Sequence, residues 1–298
     1  MQEDLADGFA LDAARVRRSH HRASTSYDAA AVVQAEVRGQ LLSRLELTAL
    51  TPQVVIDAGA GTGHGSRALK RRYPRARVIA VDAAFGMLRM AGRQQSWRRG
   101  FDRICADAER LPFADAGVDL ILSNLMLHWC DTDRVFAECR RVLKPRGLFS
   151  FTSFGPDTLR ELRAAWERVD GHSHVNRFID MHDLGDALLR AGFAAPVLDV
   201  ERVTLTYADL PALVADLRAV GARNSTAARP RGLVGRHKFA RLRSAYEAFR
   251  DQGRLPASYE VIYAQAWAPA DTPRRLDAPD SAVSLEEIKR QLRARRAT

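Results

Sequence analysis

Cysteine is scarce: Cys105, Cys130 and Cys139 are the only three among 298 residues. Their spacing matches no metal-ligand pattern, and three thiols in a chain this long make no disulfide framework. That excludes a disulfide-stapled scaffold and points to a reducing, cytoplasmic compartment. Long apolar runs are also missing; none approaches the roughly 20 residues that a membrane span needs. The opening stretch "MQEDLADGFALDAARVRR" puts acids ahead of any apolar core, which is not the pattern of a secretory signal. Acids are in deficit too, 36 Asp and Glu against 46 Lys and Arg, for a formal net charge of +10. Such a surplus suits acidic partners such as nucleic acid, phosphate-bearing ligands or acidic proteins, and equally suits an arginine-rich set of solvated helix faces.

What the chain does have is alternation. Apolar runs that read as strands lie at 53–58, 76–83, 101–107, 117–124 and 147–154, with helical patterns at 65–74, 84–95 and 133–144. This order implies an α/β fold with right-handed crossovers and a mostly parallel sheet covered by helices on both faces. Residues 26–45 read as one long amphipathic helix, and 155–169 as a helix opening at Asp157 or Thr158. A helix over 184–193 stops at Gly192, 196–207 is a strand pair or one long strand, and 210–224 is helical. A basic loop at 225–235, a further helix and a closing strand at 257–268 follow. The expected organisation is an N-terminal extension (1–25), one domain (26–268) and a tail (269–298) in which Ser284 and Glu287 form a capping-box pattern. Within that domain, 53–155 is the core, 156–256 a capping insert and 257–268 the closing strand.

The most pointed stretch is "VVIDAGAGTGHGS", where Gly59, Gly61, Gly63 and Gly65 alternate directly after a buried strand. Such glycines serve a tight turn or the close approach of a ligand to backbone. The spacing, D-x-G-x-G-x-G from Asp57, is neither the dinucleotide pattern G-x-G-x-x-G nor a phosphate loop ending in Gly-Lys-Ser/Thr. Asp82 ends the second strand, where a carboxylate can accept both hydroxyls of a ribose. Asp107 lies just past the third, where an acid can face an adenine amino group, and "SNLMLHW" ends the fourth. All converge on the strand C-termini, where open α/β sheets bind ligands.

Over residues 53–155 this constellation resembles the class I S-adenosylmethionine-dependent methyltransferases. The resemblance implies a Rossmann-like fold with a seven-stranded sheet and S-adenosyl-L-methionine as cofactor. It places Asp57, Gly59, Gly61 and Gly63 beneath the methionine and ribose, Asp82 on the ribose, and Asp107 with Ala108 at the adenine. Met87 packs on the adenine ring or simply joins the helix-to-sheet core.

The flanks "ASTSYDAAAVVQAEVRGQLLSRL" and "HVNRFIDMHDLGDALLRAGF" extend the likeness, from about residue 22 to 268, to the malonyl-acyl-carrier-protein O-methyltransferases of biotin synthesis. One departure is Arg146, where the wider family often has glycine, a tolerable turn change. The resemblance implies methyl transfer to the free carboxylate of a malonyl thioester on acyl carrier protein or coenzyme A. A carboxylate is already ionised at neutral pH, so the site needs no general base, only alignment in a dry pocket. Tyr27, whose hydroxyl can close over the cofactor, joins Asn124 and His128 as catalytic candidates, and Trp129, His174 and Arg177 as substrate-binding ones. His172, His174 and His182 have no tight metal spacing, so a substrate-capping loop and no metal are expected.

The implied partner, acyl carrier protein, is acidic, and a basic rim would steer it in. Arg229, Arg231, Arg236 and Lys238 are the expected patch; no nucleic-acid or membrane partner is expected. Two rivals are weaker. A nucleic-acid methyltransferase usually has Asn-Pro-Pro-aromatic where this chain has Asn124-Leu125-Met126-Leu127, and no basic aromatic platform is present. A mitochondrial complex I assembly protein of the same fold, reported as an arginine hydroxylase, shares the "SNL-LHW" segment. The intact glycine loop and the lack of a transit-peptide pattern favour the bacterial enzyme.

Overall fold

The computed structural model describes residues 11–95, 100–226, 232 and 234–270. Its centre is a seven-stranded sheet in the order β3-β2-β1-β4-β5-β7-β6. Val54–Ala58 (β1), Arg77–Asp82 (β2), Asp102–Cys105 (β3), Val118–Ser123 (β4) and Leu143–Phe154 (β5) run parallel. Leu255–Trp267 (β7) returns antiparallel beside β5, and Ala194–Tyr207 (β6), a single long strand, pairs antiparallel with β7 at the edge.

Successive residues of the inner strands enter opposite cores, which is why these strands read as unbroken apolar runs. Val55, Leu120 and Leu148 pack on one face with Ala13–Ala23 (α1) beyond, Tyr27–Ala30 (α2), Val32–Arg44 (α3), His64–Arg72 (α4) and Phe85–Gln94 (α5) lying towards that side. Ile56, Ile121 and Phe149 pack on the other, beneath Thr132–Val142 (α6) and Met181–Arg190 (α8). Arg160–Glu167 (α7), Leu210–Ala219 (α9) and Arg236–Glu247 (α10) complete the layer on the first face. No helix among the described residues is long and apolar enough to cross a membrane.

Several local expectations change. The helix expected over 26–45 breaks at Ala31 (φ −81°, ψ 47°) into α2 and α3. The one expected from Asp157 or Thr158 starts at Arg160, because its first residues are tied to β7 instead. The Asp157 N–H donates to the Glu260 carboxylate at 2.8 Å, the Thr158 hydroxyl to the Glu260 carbonyl at 3.1 Å, and Leu159 turns the chain at φ 54°. The helix expected to reach 224 ends at Ala219, and Gly221 (φ 79°) redirects the chain into an extended strap, 220–226. Arg146 sits at φ 61°, in the left-handed region that favours glycine, so the turn it occupies carries strain.

That strap binds the N-terminal segment. The Asp12 N–H donates to the Ser225 carbonyl at 2.8 Å, and the Ser19 hydroxyl to the Gly221 carbonyl at 3.0 Å. The Ser26 hydroxyl reaches the Ala219 carbonyl at 2.9 Å. Helix α1, on the N-terminal side of the expected boundary at residue 25, is thereby fastened to the strap. Ser284 and Glu287, like Arg229 and Arg231, lie outside the described residues.

Candidate active site

The glycine loop answers the question its spacing raises with a division of labour. Its start is fixed by the Gly59 and Ala60 N–H groups, which donate to the Val81 carbonyl at 2.8 and 3.0 Å. A Cβ on Gly59 (φ 73°) would run into the Cβ and Cγ of Met126, and one on Gly63 would come within 2.8 Å of the Ala91 methyl. On Gly65 it would meet the Asp57 carboxylate, again at 2.8 Å. Gly61 alone faces open space: at φ 55°, a Cβ there has no heavy atom within 4 Å. Three of these glycines make room for protein, and the fourth, Gly61, faces open space.

The open space is a cavity at the C-terminal ends of β1, β2 and β4 and beyond the end of β3. Gly59, Gly61, Asp82, Asp107 and Asn124 line it, with Met87 and Ala108 as apolar walls and Tyr27 and Trp129 at its sides. Asp82 accepts from the Gly61 N–H at 2.9 Å and the Ala84 N–H at 2.7 Å, which aims its carboxylate along the loop. Burial raises its pKa, with those two bonds opposing. Tyr27 is likewise pushed up by burial and by the nearby Asp82 charge, so its hydroxyl keeps its proton.

Helix α1 roofs this cavity through Ala13, Val16, Arg17 and His20. His20 donates from Nδ1 to the Val16 carbonyl at 3.0 Å and meets Trp129 edge-on at 5.1 Å. Burial lowers its pKa, against the Val16 bond and the Asp82 charge. None of these α1 residues was expected at the site. Their apolar and polar positions follow an ordinary amphipathic helix, and what brings them over the strand ends is the strap 209 residues away in sequence, where the Arg15 Nε donates to the Asn224 carbonyl.

A second cavity adjoins the first. Its walls are Leu159 and Leu162 at α7, Val175 and Phe178 in the following loop, Leu205 and Tyr207 on β6, Tyr259 on β7 and Leu217 on α9. The two cavities share Gln34, His128, Trp129, Phe154, Val220 and Ala222. Gln34 and His128 thus stand where the cavities meet. The His128 Nδ1 is shut from solvent and has no hydrogen-bond partner among the described residues. Burial, helped slightly by His20, lowers its pKa to about 3, so the ring is neutral at physiological pH. Aromatic rings hold it: Phe154 at 4.7 Å, Trp129 at 5.0 Å and Phe178 at 5.7 Å between centroids.

Other expected residues take different roles. Asp57 does not line the first cavity; it is buried beneath the loop and accepts from the Ser66 hydroxyl at 2.6 Å. Burial lifts its pKa to about 6. Gly63 likewise contacts protein. Asn124 lines the cavity, but its amide is engaged at both ends, donating from Nδ2 to the Gln34 carbonyl at 3.0 Å and accepting at Oδ1 from Thr152 at 3.1 Å. The Thr152 hydroxyl in turn accepts from the Leu125 N–H at 2.9 Å, where Leu125 is held at φ 51°. Asn124 therefore braces the end of β4 and the start of α3 rather than standing free for a substrate. A buried leucine in the left-handed region occurs at each cavity, Leu125 at the first and Leu159 at the second, backbone strain of the kind that clusters at functional sites.

His174 lines the second cavity, stacked on Trp166 at 3.6 Å with its Nε2 2.8 Å from Asp170. Arg177 lines neither cavity, facing outer clefts instead. His182 is exposed, paired with Asp180 on the surface. Of the expected basic patch, Lys238 is spent on Asp170 at 2.7 Å. Sequence reasoning missed Gln34, His20 and the strap, because no local motif marks them.

Comparison with known proteins bears directly on this geometry. Residues 56–151 match the model of a methyltransferase domain. The chain is 55% identical over 271 residues to the malonyl-[acyl-carrier protein] O-methyltransferase of Methylovorus sp., covering 89% of this chain and 92% of that one. It is 50% identical to the protein of the same name from Laribacter hongkongensis, over 91% and 94% of the two chains. The chain belongs to the malonyl-[acyl-carrier protein] O-methyltransferase family. Among solved structures, the YcgJ protein of Bacillus subtilis has the same fold, with a TM-score of 0.56 at 18% identity, covering 77% of this chain and 97% of that one. This chain is an S-adenosylmethionine-dependent methyltransferase. The first cavity fits that cofactor: side-chain-free backbone at Gly61, a loop-oriented carboxylate at Asp82 and a second acid at Asp107.

Proposed function

We propose that this chain methylates the free carboxylate of a malonyl thioester carried on acyl carrier protein, as an early step of biotin synthesis in the cytoplasm. The family assignment supports it, and one geometric observation carries the mechanism: the cofactor cavity adjoins a second, apolar-walled cavity, and both are lined by two neutral polar side chains, Gln34 and His128. Bound S-adenosylmethionine supplies a methyl group on a positively charged sulfur, which an ionised carboxylate can attack without losing a proton.

The chain's own part is to hold and to exclude. In this reading Asp82 and Asp107 fix the nucleoside, Met87 and Ala108 pack on its base, and Tyr27 closes over it. Gln34 and the neutral His128 ring face the carboxylate without a full charge, since a cation in contact would pair with the attacking oxygen and blunt it. Trp129 and Phe154 keep water from the junction, where alignment is worth more than acid–base help. His174 and the Leu162–Val175 wall receive the thioester. Incubation with methyl-labelled S-adenosylmethionine and malonyl-acyl carrier protein tests the reading: label transferred to the malonyl group, and absent with acetyl-acyl carrier protein, is the expected result. Label that stays off the malonyl carboxylate overturns it.

A further inference from the structure

Two residues that line the first cavity, Tyr27 in α2 and Gly61 in the glycine loop, come from distant parts of the chain. The residue that follows each one is bonded to the residue that follows the other. The Thr62 hydroxyl donates to the Asp28 carboxylate at 2.5 Å, across 34 positions of sequence. The His64 Nε2 lies 3.3 Å from the other Asp28 oxygen, so one carboxylate meets the loop on both sides of Gly63.

Each partner needs the bond for a different reason. Thr62 is buried, and its hydroxyl requires an acceptor there. Helix α2 has four residues and no side-chain cap, too short to hold its own orientation. The Ser26 hydroxyl fastens its start to the Ala219 carbonyl, and Asp28 fastens it to the loop. Gly61 is bracketed in turn: its own N–H is tied to Asp82 at 2.9 Å, and its successor is tied to Asp28. A hydroxyl donating to a carboxylate is among the stronger of such bonds.

We propose that Asp28 and Thr62 are positioning residues for the cofactor, a clamp that draws α2 onto the glycine loop and sets the spacing between Tyr27 and Gly61. Neither is among the residues lining the cavity, so their effect on S-adenosylmethionine passes through the neighbours that are. They act on the cofactor alone, whatever group receives the methyl.

The test is calorimetry with S-adenosylhomocysteine on the full chain, with urea titration to establish that each variant is folded. Thr62→Val, which keeps the shape and removes the hydroxyl, is expected to weaken binding about tenfold, as is Asp28→Ala. Combined, the two should cost no more than either alone, because both break one bond. Thr62→Ser, which restores the donor, should recover most of the affinity. Asp28→Ala added to Tyr27→Ala should cost little further, since the clamp acts through that ring. Asp28→Asn, an uncharged acceptor with a smaller expected loss, serves if the alanine variant does not fold. Affinities within twofold of native in the single variants overturn the proposal, as do losses that multiply when combined. A Thr62→Ser chain as weak as Thr62→Val, a full further loss on Tyr27→Ala, or a native chain that binds no S-adenosylhomocysteine overturns it equally. A chain that passes and methylates no malonyl thioester keeps the clamp and loses only the proposed reaction. Intact malonyl transfer with unchanged affinities does the reverse.

Discussion

The cofactor cavity takes its glycines, its acids and Asn124 from the ends of four strands that follow one another in sequence, β1 to β4, all within residues 59–124, with α1, Tyr27 and Gln34 laid over them. The second cavity takes its walls from α3, α7, a loop, β6, α9 and β7, segments spread over more than two hundred residues. The first is a consequence of a parallel sheet, because every crossover returns a strand end to the same edge. The second is a consequence of packing, since its apolar residues are indistinguishable in type from those of any core. A cofactor site made at strand tips can be inherited by many enzymes, while the chemistry that distinguishes them is set by what is laid over it.

If that contrast is sound, the sharpest break is Gly61→Val. Its side chain would enter the cofactor cavity, so S-adenosylhomocysteine binding is expected to fall by about a hundredfold or more while circular dichroism remains native, in keeping with a steric block plus roughly 1–2 kcal/mol of left-handed backbone strain. Native affinity in the variant would reduce the loop to a turn. Gly59→Ala should act oppositely, costing about 3 kcal/mol of unfolding free energy through overlap with Met126 and the same backbone strain, measured by urea titration. A stable Gly59 variant that fails to bind cofactor would erase the distinction between the two glycines.

The buried carboxylate beneath the loop gives a pH signature of similar size. Asp57 titrates near 6 when folded against an ordinary 3.8, so its contribution is fully present below about 3.8 and is lost as pH rises through about 6. Asp57→Asn is expected to remove roughly 3 kcal/mol of that decline between pH 4 and 7, at 1.36 kcal/mol per pKa unit. An unaltered slope would show that Asp57 is not desolvated. The smallest effect belongs to the second cavity: Leu217→Trp, by filling it, should raise the KM for a malonyl thioester about tenfold and leave the Kd of S-adenosylhomocysteine unmoved. A rise in both constants would make the two cavities one site.

The cofactor half was legible because its signals are local. Asp82 and Asp107 were placed by counting strands, and the glycine run by its spacing, so their arrival on one cavity wall followed from topology. The same reasoning overassigned Asp57 and Gly63, which share the motif but turn away from the cavity into protein, because spacing cannot say which face of a turn a side chain takes. Arg177 and Asn124 show two other limits of reading a site from sequence. One is polar and near the site in sequence yet faces outer clefts; the other is at the site but bound up in holding Gln34 and Thr152.

By itself the sequence determined the parallel sheet, the edge on which ligands gather and the acids waiting there, since strand periodicity and glycine spacing act over a few residues. Only the tertiary structure decided that α1 roofs the cofactor cavity, that Gln34 and His128 stand at a junction, and that Asp28 is bonded to the glycine loop. Those placements depend on hydrogen bonds such as that from Asp12 to Ser225. Contacts between segments so far apart in the chain leave no periodic trace in either one.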